Sequence, residues 1–552
     1  MNTVTTNGSV GFATLDWVIV AAYLIGNLYL GWRMSRRVTS AETYYLGDRS
    51  APWWAIGISV VATYVSALSF LGGPAWAYGD GMAALAIHIN YPLVIFAVVV
   101  VFLPFFYNSG VASIYDYLER RFGPASRTVM SVTFLITQSI TSASILTATA
   151  VVVTYATGMD TASAIWLMTA IVVVYTLLGG MNAVIWTDVL QGIILFIGAG
   201  IVLFALLNAV SPVSGAIDTL ADAGKLNPLR TDLDITIAPT VWAGVFAMTL
   251  FHITVYGTNQ MMVQRALAAK SIGDAKKSYL LMGYGAFFIY FLFFFVGALL
   301  FVHFKGRPFD NPNEIILRFA DSLAIPGLMG ILAAAVLSAS MSSLSSAFNS
   351  LATVSVTDLV KRFVRPGLDL KSELLLSRAM TVVFALLVIP MAFAFVKSGG
   401  SILEALSKAG SYFVGAKLAM FGMGFFSKHV SERGLLAGVA AGFLALIVIV
   451  GFGGLAGVDG LFPQLAWPWW VVLGAGVNIA VAWTASVLLD GFQPEWHEQT
   501  VPGQIAKFRR ERLSETDGGW SVVPGRIDRA AWGLPVLFVA IIAFLAWFGA
   551  LA

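Results

Sequence analysis

The sequence predicts an all-α polytopic membrane protein with about fourteen transmembrane helices. Three observations carry that prediction. Of the 552 residues, 58% are hydrophobic and only 11% are charged, against about 25% charged in an ordinary soluble domain. Apolar runs long enough to cross a hydrocarbon core of about 30 Å, roughly 20 residues each, follow one another along nearly the whole chain. The basic residues also sort by side. With fourteen spans, 24 of the 32 Lys and Arg fall in alternate loops, six fall on the opposite side and two lie inside a span. That asymmetry puts the richer loops in the cytoplasm and both termini outside a cell (plasma) membrane.

The composition excludes other classes. With no cysteine there is no disulfide, thiolate metal centre or cysteine nucleophile. The five histidines show no HxxxH or HExxH spacing, which argues against a zinc site. A net charge of +3, with the basic residues in short loops, is no nucleic-acid footprint.

Residues 1–13 hold no Lys or Arg and no cleavage pattern. The first apolar run, 14–33, is therefore expected to stay as a helix rather than be removed as a signal peptide. Further spans are expected at 52–77, 81–106, 126–155, 160–180, 184–208, 239–258, 276–303, 325–360, 375–397, 401–425, 431–452, 468–490 and 531–551. The span 401–425 is the least typical, since it contains Glu404, Lys408 and Lys417. The stretch 491–530 reads as a cytoplasmic loop and 209–238 as an extracellular one. Gly410 to Lys417 imitates a phosphate loop, but its lysine comes one residue late and no strand precedes it. Gly451 to Gly457 is a glycine-rich helix exit.

Ionisable groups inside spans are costly and usually functional. Here they are His88, Asp188, His252, Glu404, Lys408 and Lys417. Each also has a plain structural reading. The histidines can be neutral, hydrogen-bonded core residues, and Asp188 can snorkel from the start of its helix. Glu404 and Lys408 can form an interfacial i, i+4 pair. Lys417 lies deeper, and a buried ammonium needs an anion, a set of carbonyls or water.

Residues 338–350 are crowded with serine, and Ala339, Ser342, Ser343 and Ser346 share one helical face. Such a face either packs small residues against a neighbouring helix or offers oxygens to a hard cation such as Na⁺. Small and polar residues interrupt two other spans, at Ala62-Thr63-Tyr64-Val65-Ser66 and at Val255-Tyr256-Gly257-Thr258-Asn259-Gln260. Interrupted helices in corresponding positions of two halves point to a midplane binding site, because unwound turns free carbonyls that are tolerated only beside a cavity.

With these pieces in place, the chain resembles the sodium/solute symporter family over about 14–450. The stretches that carry the resemblance are Gly179 to Gln191, including Trp186-Thr187-Asp188, then Asn259-Gln260 with Val263-Gln264-Arg265, and Ser342-Ser343. The resemblance implies a five-plus-five inverted-repeat transporter fold with peripheral helices. Its parts would be 1–51 (first helix and loop), 52–208 (first repeat), 209–238 (extracellular loop), 239–425 (second repeat), 426–490 (two peripheral helices), 491–530 (cytoplasmic loop) and 531–552 (last helix).

The resemblance also implies a sodium site formed by the carbonyls of Ala62, Val65 and Ala339 and the hydroxyls of Ser342 and Ser343. Asp188, Ser345 and Ser346 match a second sodium site that some members use. The substrate would lie at the midplane, near Ser66, Ser69, His88, Gln138, His252, Tyr256 and Lys417. Sugar-transporting members have a glutamate and an asparagine near 88 and 252, where this chain has histidines, and an aromatic gate where it has Val255. Ser350 to Asp358 and Tyr256 to Gln260 look closer to the iodide, monocarboxylate and multivitamin branches, whose substrates are anions.

The expected function is Na⁺-coupled symport of a small organic anion by alternating access. Na⁺ would be the coupling ion, with no organic cofactor and no obligate protein partner. Symport of a sugar or amino acid, or coupling to protons through His88, His252 and Asp188, are the alternatives. A sensor would carry a longer soluble domain than 491–530, and no catalytic set of a membrane enzyme is present.

Overall fold

The computed structural model describes residues 12–35, 51–111, 113–178, 181–396, 401–452 and 459–551. Gly179 and Gly180 of the tryptophan-containing motif, the loop residues Arg36, Arg37, Arg49 and Lys397, and the glycine-rich stretch after Phe452 lie outside them.

Within lipid a backbone must satisfy its own polar groups, so each apolar run folds as a helix. In chain order these are α1 (Thr14–Ser35), α2 (Trp53–Tyr64, resuming through Leu68–Gly72 and Gly73–Asp80), α3 (Gly81–His88, Tyr91–Ala97, Val98–Phe102 and Leu103–Ser109) and α4 (Pro124–Thr157). Then follow α5 (Thr161–Leu178), α6 (Met181–Ala209), α7 (Ala243–Ala247 and Met248–Gly257, resuming at Gln260–Leu267) and α8 (Ile272–His303). The rest are α9 (Leu328–Val354, continuing through Ser355–Val364), α10 (Leu370–Val396), α11 (Ile402–Phe426), α12 (Glu432–Val450), α13 (Trp467–Asp490) and α14 (Gly533–Gly549). Each expected span has its helix, including the atypical 401–425. Gly410 to Lys417 is continuous helix within α11.

At the level of the fold, the structure differs from the sequence reading in four places. The span expected to end at 258 resumes after a break, because Asn259 caps a new helix by accepting from the Met261 amide. The loop 209–238 contains the helix Val213–Asp222. The loop 491–530 is folded, with a helix at Val501–Arg510 and a short hairpin at 516–521. Some basic residues counted as loop charges are buried: Arg265 and Lys276 have 1% and 0% exposure. Lys276 is enclosed because its ammonium donates to Asp528 (2.6 Å) and to the Ser521 carbonyl (2.7 Å), pinning the 491–530 segment to α8.

The serine-rich α9 is the central helix, buried along nearly its whole length and packed on α1, α2, α4, α5, α6 and α10. Its small side chains allow this: a Cβ on Gly198 of α6 would come within 2.7 Å of the Ala335 Cβ. The peripheral pair α12 and α13 uses the same device. Gly434, Gly438 and Gly442 form a stripe at spacing four against Ser486, Ala482 and Gly474, so the two backbones nearly touch.

A Cβ at Gly438 would lie 2.7 Å from the Ala482 Cβ. Gly438→Val is expected to destabilise the protein by about 1–3 kcal/mol through overpacking, read as a lower thermal midpoint in detergent. Gly422→Ala, inside helix α11 where nothing lies within 4 Å of the added Cβ, is the control and is expected to hold or slightly raise that midpoint.

Candidate functional site

The break in α2 is the starting point. In a continuous helix the Ser66 amide would bond the Ala62 carbonyl and the Ser69 amide the Val65 carbonyl. Instead Ser66 N–H donates to Tyr64 O (3.0 Å) and Ser69 N–H to Ser66 O (3.0 Å). Val65 leaves helical geometry, with φ −76° and ψ 83°. The Ala62 and Val65 carbonyls are thereby released from the ladder. Beside this break stands α9. Ser343 Oγ donates to the Thr63 carbonyl at 2.7 Å and Ser342 Oγ to Asp188 at 2.6 Å. Freed carbonyls and hydroxyl oxygens at one place suit a hard, weakly charged cation, so the residues implied as sodium ligands are of the right chemistry and on adjoining elements.

Asp188 does not snorkel. It is fully buried and accepts hydrogen bonds from Ser59 (2.5 Å), Thr63 (3.2 Å) and Ser342. Its counter-charge is Arg265, whose guanidinium lies 3.3 Å away. Arg265 also donates to Ser59 (3.0 Å), the Met261 carbonyl (2.7 Å) and Ser346 Oγ. Of the three residues matched to a second sodium site, Asp188 and Ser346 are thus joined by a guanidinium. Ser345 Oγ turns back to the Ser342 carbonyl of its own helix at 3.2 Å.

A cavity of about 160 Å³ adjoins the two breaks. Six of the seven residues expected around the substrate line it: Ser66, Ser69, His88, Gln138, His252 and Lys417. The seventh, Tyr256, does not line it. It is fully buried behind Tyr64, which itself lines the cavity, with ring centroids 4.8 Å apart, and against Tyr91 at 6.0 Å.

The polar groups of this cavity are held from behind. His88 Nδ1 meets Tyr91 OH at 2.9 Å, and its ring stacks on Tyr290 at 3.8 Å. Tyr290 OH in turn meets Ser69 Oγ at 3.2 Å. Asn90 gives its amide N–H groups to two carbonyls, so its oxygen accepts from His252 Nδ1 at 2.8 Å. Neutral His252 then presents Nε2 as an acceptor.

Two buried atoms on cavity-lining residues, His88 Nε2 and Gln138 Nε2, have no hydrogen-bond partner. Buried polar atoms are normally satisfied by protein, water or a bound molecule, and these two lie on residues that border the cavity. Lys417 is 6% exposed. Its ammonium reaches the Thr137 hydroxyl at 3.4 Å and lies 5.8 Å from the Phe134 ring centre. Among the described residues no carboxylate comes within ion-pair distance of it. Glu404 and Lys408 do not form the expected pair, and the Lys408 ammonium sits over the Trp470 ring at 5.9 Å instead.

Sequence reasoning missed Ser59, Asn90, Tyr91 and Tyr290, which sit in apolar helical surroundings with no local signal, and named Thr63 and Tyr64 only as part of an interrupted span. It also misread Arg265 as a loop charge. The capping asparagine at 259 was the available signal, since a helix restarting there carries Arg265 back beside α2 and α6.

A sequence profile described as Sodium:solute symporter family matches residues 44–442. Sodium-coupled monocarboxylate transporter 2 of Bos taurus is 29% identical over 445 residues, which are 78% of this chain and 72% of that one. The Sodium/iodide cotransporter of Homo sapiens is 28% identical over 507 residues, 89% of this chain and 77% of that one. Among solved structures, a Na⁺-coupled sialic acid symporter in a substrate-bound outward-open state superimposes with a TM-score of 0.77 at 24% identity, covering 88% of this chain and 100% of that one. This last likeness is one of fold. The five-plus-five inverted-repeat arrangement expected from the sequence therefore holds, with α2 and α7 as the broken helices, and the matched proteins are transporters rather than enzymes.

Removing one member of a buried ion pair leaves the other uncompensated, at a cost of about 3–5 kcal/mol. Arg265→Ala is therefore expected to lower thermal stability more than the double variant Arg265→Met with Asp188→Leu. Unfolding midpoints of the two purified proteins check this.

Proposed function

The chain belongs to the sodium:solute symporter family, and from that premise we propose that it couples Na⁺ entry to the uptake of a small organic anion, a monocarboxylate being the class that fits best. The observation that carries the choice of an anion is Lys417, a buried ammonium beside a cavity that, among the described residues, has a single 3.4 Å hydroxyl contact and no acid to balance it. A substrate carboxylate would supply the missing charge and the charge-assisted bond. Gln138 and His88 offer further polar contacts, and the largely aliphatic and aromatic lining matches a short carbon chain. The named monocarboxylate and iodide relatives support the same reading.

In this proposal Na⁺ is bound by the Ala62, Val65 and Ala339 carbonyls and the Ser342 and Ser343 hydroxyls. Thr63 and Ser343 line the substrate cavity as well, so one short stretch of α2 and α9 meets both cargoes. Na⁺ bound there braces the broken helix in the conformation that receives substrate. Linkage makes the effect mutual, so substrate tightens Na⁺ binding by the same factor. Asp188 and Arg265 serve by holding Ser342, Thr63 and Ser346 in place. One Na⁺ moving with one monovalent anion carries no net charge, so the Na⁺ concentration gradient drives that transport; each further Na⁺ would add about 2.3 kcal/mol per 100 mV. The basic-loop asymmetry supports cytoplasmic placement of 491–530 in a cell membrane, with both termini outside.

Proteoliposomes with an inward Na⁺ gradient are expected to accumulate a radiolabelled monocarboxylate. Equal accumulation with choline outside would exclude Na⁺ coupling. Ser343→Ala is expected to raise the half-saturating Na⁺ concentration about tenfold, the equivalent of about 1.4 kcal/mol. Lys417→Met is expected to raise the substrate KM by about ten- to a hundredfold while Na⁺ dependence persists, in keeping with about 1.5–3 kcal/mol for a bond to a charged group. An unchanged KM in that variant would remove the anion reading and leave the symporter reading standing.

A further inference from the structure

Where α11 and α13 meet the 491–530 segment, a groove of about 600 Å³ opens whose lining shares no residue with the substrate cavity. Its lining is graded along the helix axes. At the deep end are Met423 on α11 and Ile479 on α13. Ile479 lies eleven residues before the end of α13, about 16 Å at 1.5 Å per residue. Next come Phe426 and Trp483, and at the rim Lys428, His429 and Trp496. Phe426, Trp483 and Trp496 are 55%, 42% and 43% exposed, although Phe492 packs edge-on against Trp483 at 6.3 Å, so each keeps a large open face. Tryptophans at this height are typical of the membrane–water interface.

The rim is positive and has spare donors. The only hydrogen bond of the Lys428 ammonium is to the Pro494 carbonyl at 3.4 Å, and it has no ion-pair partner among the described residues. His429 Nδ1 accepts from the Gln493 amide at 3.2 Å, which leaves Nε2 as a donor. Behind the wall, buried Arg121 donates to the Ser427 carbonyl at 2.6 Å and adds fixed positive charge. The nearby acid Glu432 is engaged by the Ser126 amide at 2.9 Å. Asp490 and Glu495, in the adjoining turn, are exposed.

We propose that this groove is a site for an anionic phospholipid of the cytoplasmic leaflet. An acyl chain would lie along Met423, Ile479 and Trp483, and the headgroup phosphate would meet Lys428 and His429. The gradient from apolar depth to basic rim requires an amphiphile, and the lysine without an acid selects an anionic headgroup over a zwitterionic one. This inference does not rest on the transport reading, and its test requires no substrate.

The test is thermal unfolding of the detergent-purified full chain, titrated with dioleoylphosphatidylglycerol, dioleoylphosphatidylcholine or glycerol 3-phosphate. Phosphatidylglycerol is expected to stabilise at about fivefold lower concentration than phosphatidylcholine, the effect of one basic residue near a lipid surface. Glycerol 3-phosphate is expected to have no effect. Lys428→Gln should abolish the preference between the two lipids, and Trp483→Ala should weaken both alike. Equal stabilisation by the two lipids, a preference that survives in Lys428→Gln, or stabilisation by glycerol 3-phosphate alone would each overturn the proposal. Should Lys428→Gln fail to fold, native mass spectrometry of the unaltered protein from an equimolar mixture of the two lipids decides. Retention of phosphatidylglycerol supports the site, and equal retention of both overturns it.

Discussion

The rest of this structure depends on one constraint: inside a bilayer, every backbone carbonyl taken out of a helix must find another partner. The chain breaks that rule deliberately at Val65 and Ser66 in α2, and again at Thr258 and Asn259 in α7. The α2 break is tolerated because α9 brings serine hydroxyls to it, and Ser343 takes the Thr63 carbonyl directly. The α7 break is tolerated because Asn259 caps the resumed helix. Where the carbonyls of Ala62 and Val65 lose their ladder partners, a cation becomes the natural complement.

The buried ion pair of Asp188 and Arg265 follows from the same economy of polar groups. A carboxylate among α2, α6 and α9 would be prohibitive alone. Arg265 reaches it only because α7 resumes after its break. The pair then links four elements through Ser59, Thr63, Ser342 and Ser346. Helices on both sides of the proposed sodium site are therefore tied to one charge centre. Local rearrangement at the site would be felt by α2 and α7 together, which is what coupling between ion and substrate requires.

Much of this was legible in the chain before any coordinates. Apolar periodicity located every membrane helix to within a few residues, except that α7 ran on past its break. Interrupted spans and the serine face pointed to the elements that meet at the midplane. The ionisable residues within spans marked three cavity residues, His88, His252 and Lys417, and the family resemblance supplied Ser66, Ser69 and Gln138. Tyr256 was misplaced because Tyr64 of α2 lines the cavity and covers it, a contact between distant helices that no local pattern reveals.

What the sequence alone determined was the class of protein, the membrane segments and the residue types that carry charge at depth, since the cost of placing polar groups in lipid makes such exceptions visible. The scarcity of charge, 11% of residues, made each buried one conspicuous. Only the tertiary structure decided how those charges are partnered. Arg265 neutralises Asp188, Lys408 rests on Trp470, Lys276 binds the folded 491–530 segment, and Lys417 faces the cavity with no acid beside it among the described residues. Partnering depends on which helices lie side by side, and that contact map is set by long-range packing of small residues, above all along α9. No local pattern encodes it.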